Sequence, residues 1–139
     1  MKKFHYFGLF LEDKTKIELL DTFLSFLHEN NNSSVVLEDD NIILDHCTLL
    51  HISQLHDNQV FYDYLNTRIG EKFSIIVNGI GISDKAAAFR VDKRSVVSCN
   101  SIPHITIATF NGGKPVDSNN IKEWKDIEPI IIKTTLKKV

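Results

Sequence analysis

Two signatures of identical form constrain this chain most: His46-Cys47-Thr48-Leu49 and His104-Ile105-Thr106-Ile107. Each is a histidine, any residue, a threonine and an apolar residue. Both sit in apolar runs, residues 42–50 and 102–108, of the kind that forms buried strands. Side chains alternate faces along a strand, so His and Thr two apart point one way while Cys47 or Ile105 points the other. If the two strands share a sheet, two imidazoles and two hydroxyls meet in one cleft. That set suits acid–base chemistry on a phosphate.

The 139 residues, 42% hydrophobic and 24% charged, predict one domain over 1–139 with its own core. A formal net charge of −2 argues against long duplex nucleic acid, which needs a basic face, and leaves a small nucleotide or an RNA 3′ end as the partner. Cys47 and Cys99 are too few for a disulfide framework and read as reduced, buried thiols. Met1-Lys2-Lys3 is basic, but Glu12 and Asp13 break the apolar stretch behind it. That stretch is too short for a membrane span and lacks a small-residue cleavage site. The expectation is a soluble, monomeric, cytoplasmic protein with no membrane partner.

Phe4 to Leu11 reads as a first strand. Asp13 or Thr15 caps a helix whose apolar face is Ile17, Leu20, Phe23, Leu24 and Leu27. A polar loop from Glu29 through Asn32 and two serines follows, and a long strand then carries the first signature to about Ser53. Asp57 caps a second helix with Val60, Phe61, Tyr64 and Leu65 inward and Gly70 as its stop. Phe73–Ile82 and Ala86–Val91 read as strands joined around Ser83-Asp84-Lys85. The second signature strand follows Pro103, Gly112-Gly113 turns the chain, a short helix spans Ser118–Trp124, and Ile127–Leu136 is the last strand. The pattern β-α-β-α-β-β-β-α-β predicts an α+β domain with a mostly antiparallel sheet.

A lone histidine or threonine in a strand is ordinary core packing. Recurrence at one phase tips the reading toward chemistry at His46, Thr48, His104 and Thr106. No metal is predicted, because no carboxylate stands at ligand spacing and neither His-Glu-x-x-His nor Cys-x-x-Cys occurs. Nor is any cofactor predicted: Gly79-x-Gly81 lacks a third glycine and a following helix, and is set aside as a dinucleotide loop. Arg90, Lys93 and Arg94 form a basic cluster able to meet an RNA strand, although such clusters are usually solvated surface. Tyr6 and Phe110 are candidate stacking platforms or core aromatics. Lys114 is a candidate phosphate contact or a solvated turn residue.

Asp45-His46-Cys47-Thr48, Pro103-His104-Ile105-Thr106-Ile107 and the following Lys114-Pro115-Val116-Asp117-Ser118-Asn119 give the chain a family likeness. It resembles the two-histidine (2H) phosphoesterase superfamily over nearly its whole length. Within that superfamily it looks most like the cyclic phosphodiesterase domains of fungal and plant tRNA ligases and the myelin cyclic-nucleotide phosphodiesterase. The resemblance implies a bilobal α+β fold, with mostly antiparallel sheets forming a central cleft and helices packed outside. It also implies metal-independent hydrolysis of a 2′,3′-cyclic phosphate on a nucleotide or RNA end, leaving a 2′-phosphate, with His104 as base and His46 as acid. His51 falls where the myelin enzyme carries an aromatic residue that contacts the base, although odd spacing from His46 points it to the other face of an ideal strand. Ligase-type members are fused to kinase or ligase domains, for which 139 residues leave no room. Two alternatives stay open: a phosphodiesterase for 2′-5′ oligoadenylates or cyclic oligonucleotide signals, acting in a host cytoplasm as viral relatives do, and a silent nucleotide-binding module.

Overall fold

The computed structural model describes residues 4–139 apart from 31, 33, 34, 36 and 39. The basic start and the serine pair of the expected loop lie outside that set. Among the described residues six strands form: β1 (Tyr6–Leu11), β2 (His46–His51), β3 (Lys72–Ile82), β4 (Ala86–Val91), β5 (His104–Thr109) and β6 (Trp124–Lys138). They pair antiparallel throughout, in the order β1-β2-β5-β4-β3-β6, and β6 returns to β1 to close a barrel.

This closure overturns the expected open, bilobal cleft with helices packed outside. The cause lies in β6. It starts at Trp124 rather than Ile127, runs 15 residues, and pairs with β3 on one edge and β1 on the other. Thr134 and Thr135 face Leu11 and Phe10 on one side and Phe73 and Lys72 on the other, so one strand joins both parts of the sheet.

The opposite join, between β2 and β5, is slight. It consists of the Cys47–Ile105 pair, an isolated bridge from Ile42 to Ala108, and backbone bonds from Ile43 to Ile107 and Leu44 to Thr106. The expected long strand from Ile42 breaks here because Leu44 takes a left-handed backbone conformation, with φ 41°. That conformation is costly for a leucine.

Two α-helices among the described residues accompany the barrel, α1 (Asp13–Glu29) and α2 (Gln59–Asn66). The buried face of α1 is Thr15, Leu19 and Phe23, whereas the expected face members Ile17 and Leu24 are exposed. Phe23 meets Phe89 of β4 edge-on, with ring centres 6.4 Å apart. Glu12 supplies no side-chain cap, so tertiary burial docks this helix, at roughly 1.5–3 kcal/mol for each large side chain removed from water. In α2 only Leu65 is buried, and Val60 and Tyr64, expected inward, are exposed. A 3₁₀ turn at Ile52–Asp57 precedes α2, so Asn58 rather than Asp57 stands at its start. The helix expected at Ser118–Trp124 is a 3₁₀ turn at Pro115–Asn120, with proline in the first turn. The β3–β4 hairpin matches its sequence pattern.

Phe7, Leu9, Leu11, Cys47, Val77, Phe89, Ile105 and Leu136 share the core with Leu19 and Phe23 of α1. They mark one face of the sheet, and the other face carries the signatures. Among the described residues, no helix is long and apolar enough to cross a membrane.

Candidate active site

Strand register builds the site. Antiparallel pairing of Cys47 with Ile105 sets His46 beside Thr106 and Thr48 beside His104, all on the face opposite that pair. On the β1 side, Phe10 pairs with His46 and Gly8 with Thr48. On the β4 side, Arg90 pairs with His104 and Ala88 with Thr106. The four predicted residues therefore share one face, flanked by Tyr6, Gly8, Phe10 and Arg90.

His46 is held at both nitrogens. Its Nδ1 lies 3.1 Å from Asp45 Oδ2, and its Nε2 lies 3.1 Å from Thr48 Oγ1. Asp45 in turn meets Lys16 Nζ at 3.5 Å. A carboxylate accepts only, so Nδ1 carries a proton and donates it. Burial pushes the His46 pKa below the ordinary imidazole value, while the hydrogen bond and charge of Asp45 push it back up. The ring sits over Gly8, whose missing side chain leaves it room: a Cβ there would lie 3.1 Å from His46 Cδ2 and 3.2 Å from both Phe10 and Tyr6 ring carbons. Tyr6 and Phe10 stack near the imidazole, at 4.7 and 5.0 Å between centres.

His104 is tied differently. Its Nδ1 lies 2.9 Å from the carbonyl of Ile102, which fixes that nitrogen as the donor and leaves Nε2 as the basic one in the neutral ring. Burial again lowers its pKa, the Ile102 carbonyl opposes this, and the nearby charge of His46 lowers it further. Thr106 Oγ1 shares a hydrogen bond with Ser118 Oγ at 2.9 Å, and Ser118 is buried. Ser98 Oγ donates to the Thr48 carbonyl at 2.9 Å, tying the loop before β5 to β2.

The remaining predicted residues divide. Tyr6 joins the site, with its phenol pKa raised first by burial and then by Asp45. His51 shares the Tyr6 face after all, because β2 carries an extra residue between Thr48 and Leu50 that resets the alternation. Its Nδ1 is engaged with Ser53, at 3.1 Å from the amide and 2.9 Å from the hydroxyl, so it caps the Ile52–Asp57 turn. Lys114 is exposed, and its backbone amide donates to Asp117 in the turn that delivers Ser118. Phe110 is not at the site; it lines a separate cavity of about 390 Å³ with Val35, Ile82 and Asn111. Arg90 stands next to His104, whereas Arg94 pairs with Asp92 and Lys93 is exposed.

The Gly79-x-Gly81 pattern gains a different role. Gly79 pairs with Arg90 and Asp126, and a Cβ there would fall 2.7 Å from the guanidinium that crosses it to reach Asp126. Gly81 likewise lies under Trp124 and Ile121. These glycines keep the motif face open for side chains from neighbouring strands. Cys47 lies on the other face, its thiol pushed up to about 12 by burial; Cys99, expected buried, is half-buried.

Sequence reasoning missed Gly8, Phe10 and Ser98, and assigned no role to Asp45 or Ser118, which it quoted only within the family likeness. An isolated glycine inside a strand is a signal of close approach, which Gly8 carries.

No protein-family model matches the chain, and no curated protein matches it. Solved structures do match, 46 chains among them. One is the crystal structure of a fungal RNA kinase, with a TM-score of 0.68 and 17% identity over 97% of this chain and 45% of that one. The likeness is one of fold, and the chain spans less than half the length of that kinase structure.

Proposed function

We propose that the protein is a metal-independent phosphodiesterase that opens 2′,3′-cyclic phosphates of nucleotides or RNA ends to 2′-phosphates. The observation that carries this reading is the unequal tethering of the two histidines. A carboxylate at His46 Nδ1 favours the imidazolium there over His104, where a neutral carbonyl at Nδ1 leaves a basic Nε2. One acid and one base thus stand on neighbouring strands of one face.

His104 Nε2 takes a proton from water, and the water oxygen attacks phosphorus. The bond from phosphorus to O3′ breaks, and His46 Nε2 delivers its proton to that oxygen. The hydroxyls of Thr48 and Thr106 donate to the non-bridging oxygens, whose charge grows in the transition state. The fungal RNA kinase that shares this fold has RNA in its name, which agrees with an RNA end as substrate.

The test is to incubate purified protein with 2′,3′-cyclic AMP and EDTA and identify the product by phosphorus NMR. A 2′-phosphate formed in the presence of chelator is expected. His46→Ala or His104→Ala should lower kcat by about 10²–10⁴-fold with nucleotide affinity nearly kept. Absence of turnover by the folded wild type would refute the reading and direct the assay to 2′-5′ oligoadenylates and cyclic dinucleotides.

A further inference from the structure

The motif face continues past the four signature residues onto β1 and β6. Lys137 of β6 pairs with Gly8, which pairs with Thr48, so Lys137, Gly8 and Thr48 form one row across three strands. Because Gly8 has no side chain, the Phe10 and Tyr6 rings close over it, and the Phe10 ring alone links the lysine to His46. The Lys137 ammonium stands 5.2 Å from the centre of the Phe10 ring, and the same ring stacks near His46 at 5.0 Å.

Its neighbour gives the contrast. Lys138 points to the other face, where Tyr62 and Asn66 each accept from it at 3.0 Å. Lys137 is exposed and, among the described residues, its ammonium makes no hydrogen bond or ion pair and meets only the Phe10 ring. Arg90, beside His104, is by comparison tied to Asn78 and Asp126. An uncommitted cation held over an aromatic ring, two strands from the reacting centre, is equipped to take an anion.

We propose that Lys137 and Phe10 form a subsite for a second phosphate, one nucleotide removed from the reacting one. The substrate is then an oligonucleotide end rather than a mononucleotide. This rests on the phosphodiesterase reading above and deepens it. Adjacent strands lie about 4.8 Å apart, so Lys137 sits roughly 10 Å from β2, within reach of the next phosphate along a bound strand given the length of a lysine side chain. The ammonium neutralises that phosphate, and the half-buried Phe10 ring gives the intervening sugar or base an apolar surface.

The experiment compares kcat/KM for a 2′,3′-cyclic mononucleotide with kcat/KM for trinucleotides ending in the same cyclic phosphate. One trinucleotide is 3′-5′ linked and one is 2′-5′ linked. Wild type, Lys137→Gln and Lys133→Gln are assayed; Lys133 is an exposed lysine of the same strand, four residues away. Wild type should prefer a trinucleotide, and the linkage it prefers identifies the source of the second phosphate. In Lys137→Gln the trinucleotide-to-mononucleotide ratio should fall about fivefold, and the salt dependence of trinucleotide binding should flatten by about 0.7 in log–log slope. Lys133→Gln should keep the wild-type ratio.

A ratio unchanged in Lys137→Gln, or lowered equally in Lys133→Gln, overturns the subsite. If wild type turns over none of the three substrates, the phosphodiesterase reading fails separately. The subsite is then judged by fluorescence-anisotropy competition between a trinucleotide 3′-phosphate and a nucleoside 3′-monophosphate. A trinucleotide preference that Lys137→Gln removes upholds it, and a preference that survives, or none in wild type, overturns it.

Discussion

Gly8→Ala tests whether the seat beneath His46 sets the chemistry. The added Cβ would stand 3.1 Å from His46 Cδ2 and 3.2 Å from ring carbons of Phe10 and Tyr6. Carbon atoms in contact prefer about 3.5 Å or more, so about 0.4 Å must be absorbed at the imidazole. The three rings already lie against one another, with Tyr6 and Phe10 centres 6.3 Å apart, so neither aromatic can swing clear without moving the other. His46 must rise, lengthening its 3.1 Å bonds to Asp45 and Thr48 toward the limit of useful geometry. A 1 Å misplacement costs about 10²-fold in rate, so 0.4 Å scales to roughly sixfold. Stability should move little: replacing glycine in a strand gains about 0.5–1 kcal/mol, which offsets most of a contact cost of about 1 kcal/mol. The assay pairs kcat on a 2′,3′-cyclic nucleotide with thermal melting. Unchanged kcat in a folded variant would refute the seat, and a stability loss above about 3 kcal/mol would show that Gly8 serves the fold instead.

Four further outcomes are expected. The pH–rate profile should be bell-shaped and displaced to the acid side of the ordinary imidazole value of about 6.5, since burial lowers both histidines. Asp45→Asn removes a group that raises His46, so the alkaline limb should move further toward acid; a profile that stays put would show that Asp45 does not govern the acid. The sign for stability follows from the same shifts. Native histidines with depressed pKa favour the neutral ring, so stability is complete above about pH 6.5 and falls as pH drops through the native values, which chemical denaturation at several pH values will read. Ser118→Ala leaves a buried Thr106 hydroxyl without its partner, at a cost of about 1–2 kcal/mol. The Tm should fall by about 3–8 °C, with kcat lowered more than KM is raised; an unaltered kcat would remove Ser118 from the support of the site.

Much of the candidate site was legible because it depends on a period of two over three residues. His46 with Thr48, and His104 with Thr106, need only local alternation to share a face. Features that depend on distant partners were not legible. The extra residue in β2 that returns His51 to the Tyr6 face carries no glycine or proline to announce it. The burial of Thr15 and Leu19 in place of Ile17 and Leu24 follows from where Phe89 stands, which the helix's own spacing does not encode. Closure of the barrel rests on Thr134 and Thr135 serving two neighbours at once, and an alternating run reads the same with one partner or two.

The slight join between β2 and β5 has a mechanical consequence. β3 and β6 are pinned by nine register pairs, β2 and β5 by one, Cys47 with Ile105. Opening free energy follows the number of bonds that must break, so this is the line along which the barrel yields first. Hydrogen exchange should find the amides of 43–47 and 104–106 less protected than those of 73–77, and equal protection would contradict it. His46 and His104, the proposed acid and base, ride on opposite lips of that line. The gap between them is therefore a dimension set by two buried side chains, Cys47 and Ile105, which face away from the chemistry and act on it as a hinge pin acts on a pair of jaws.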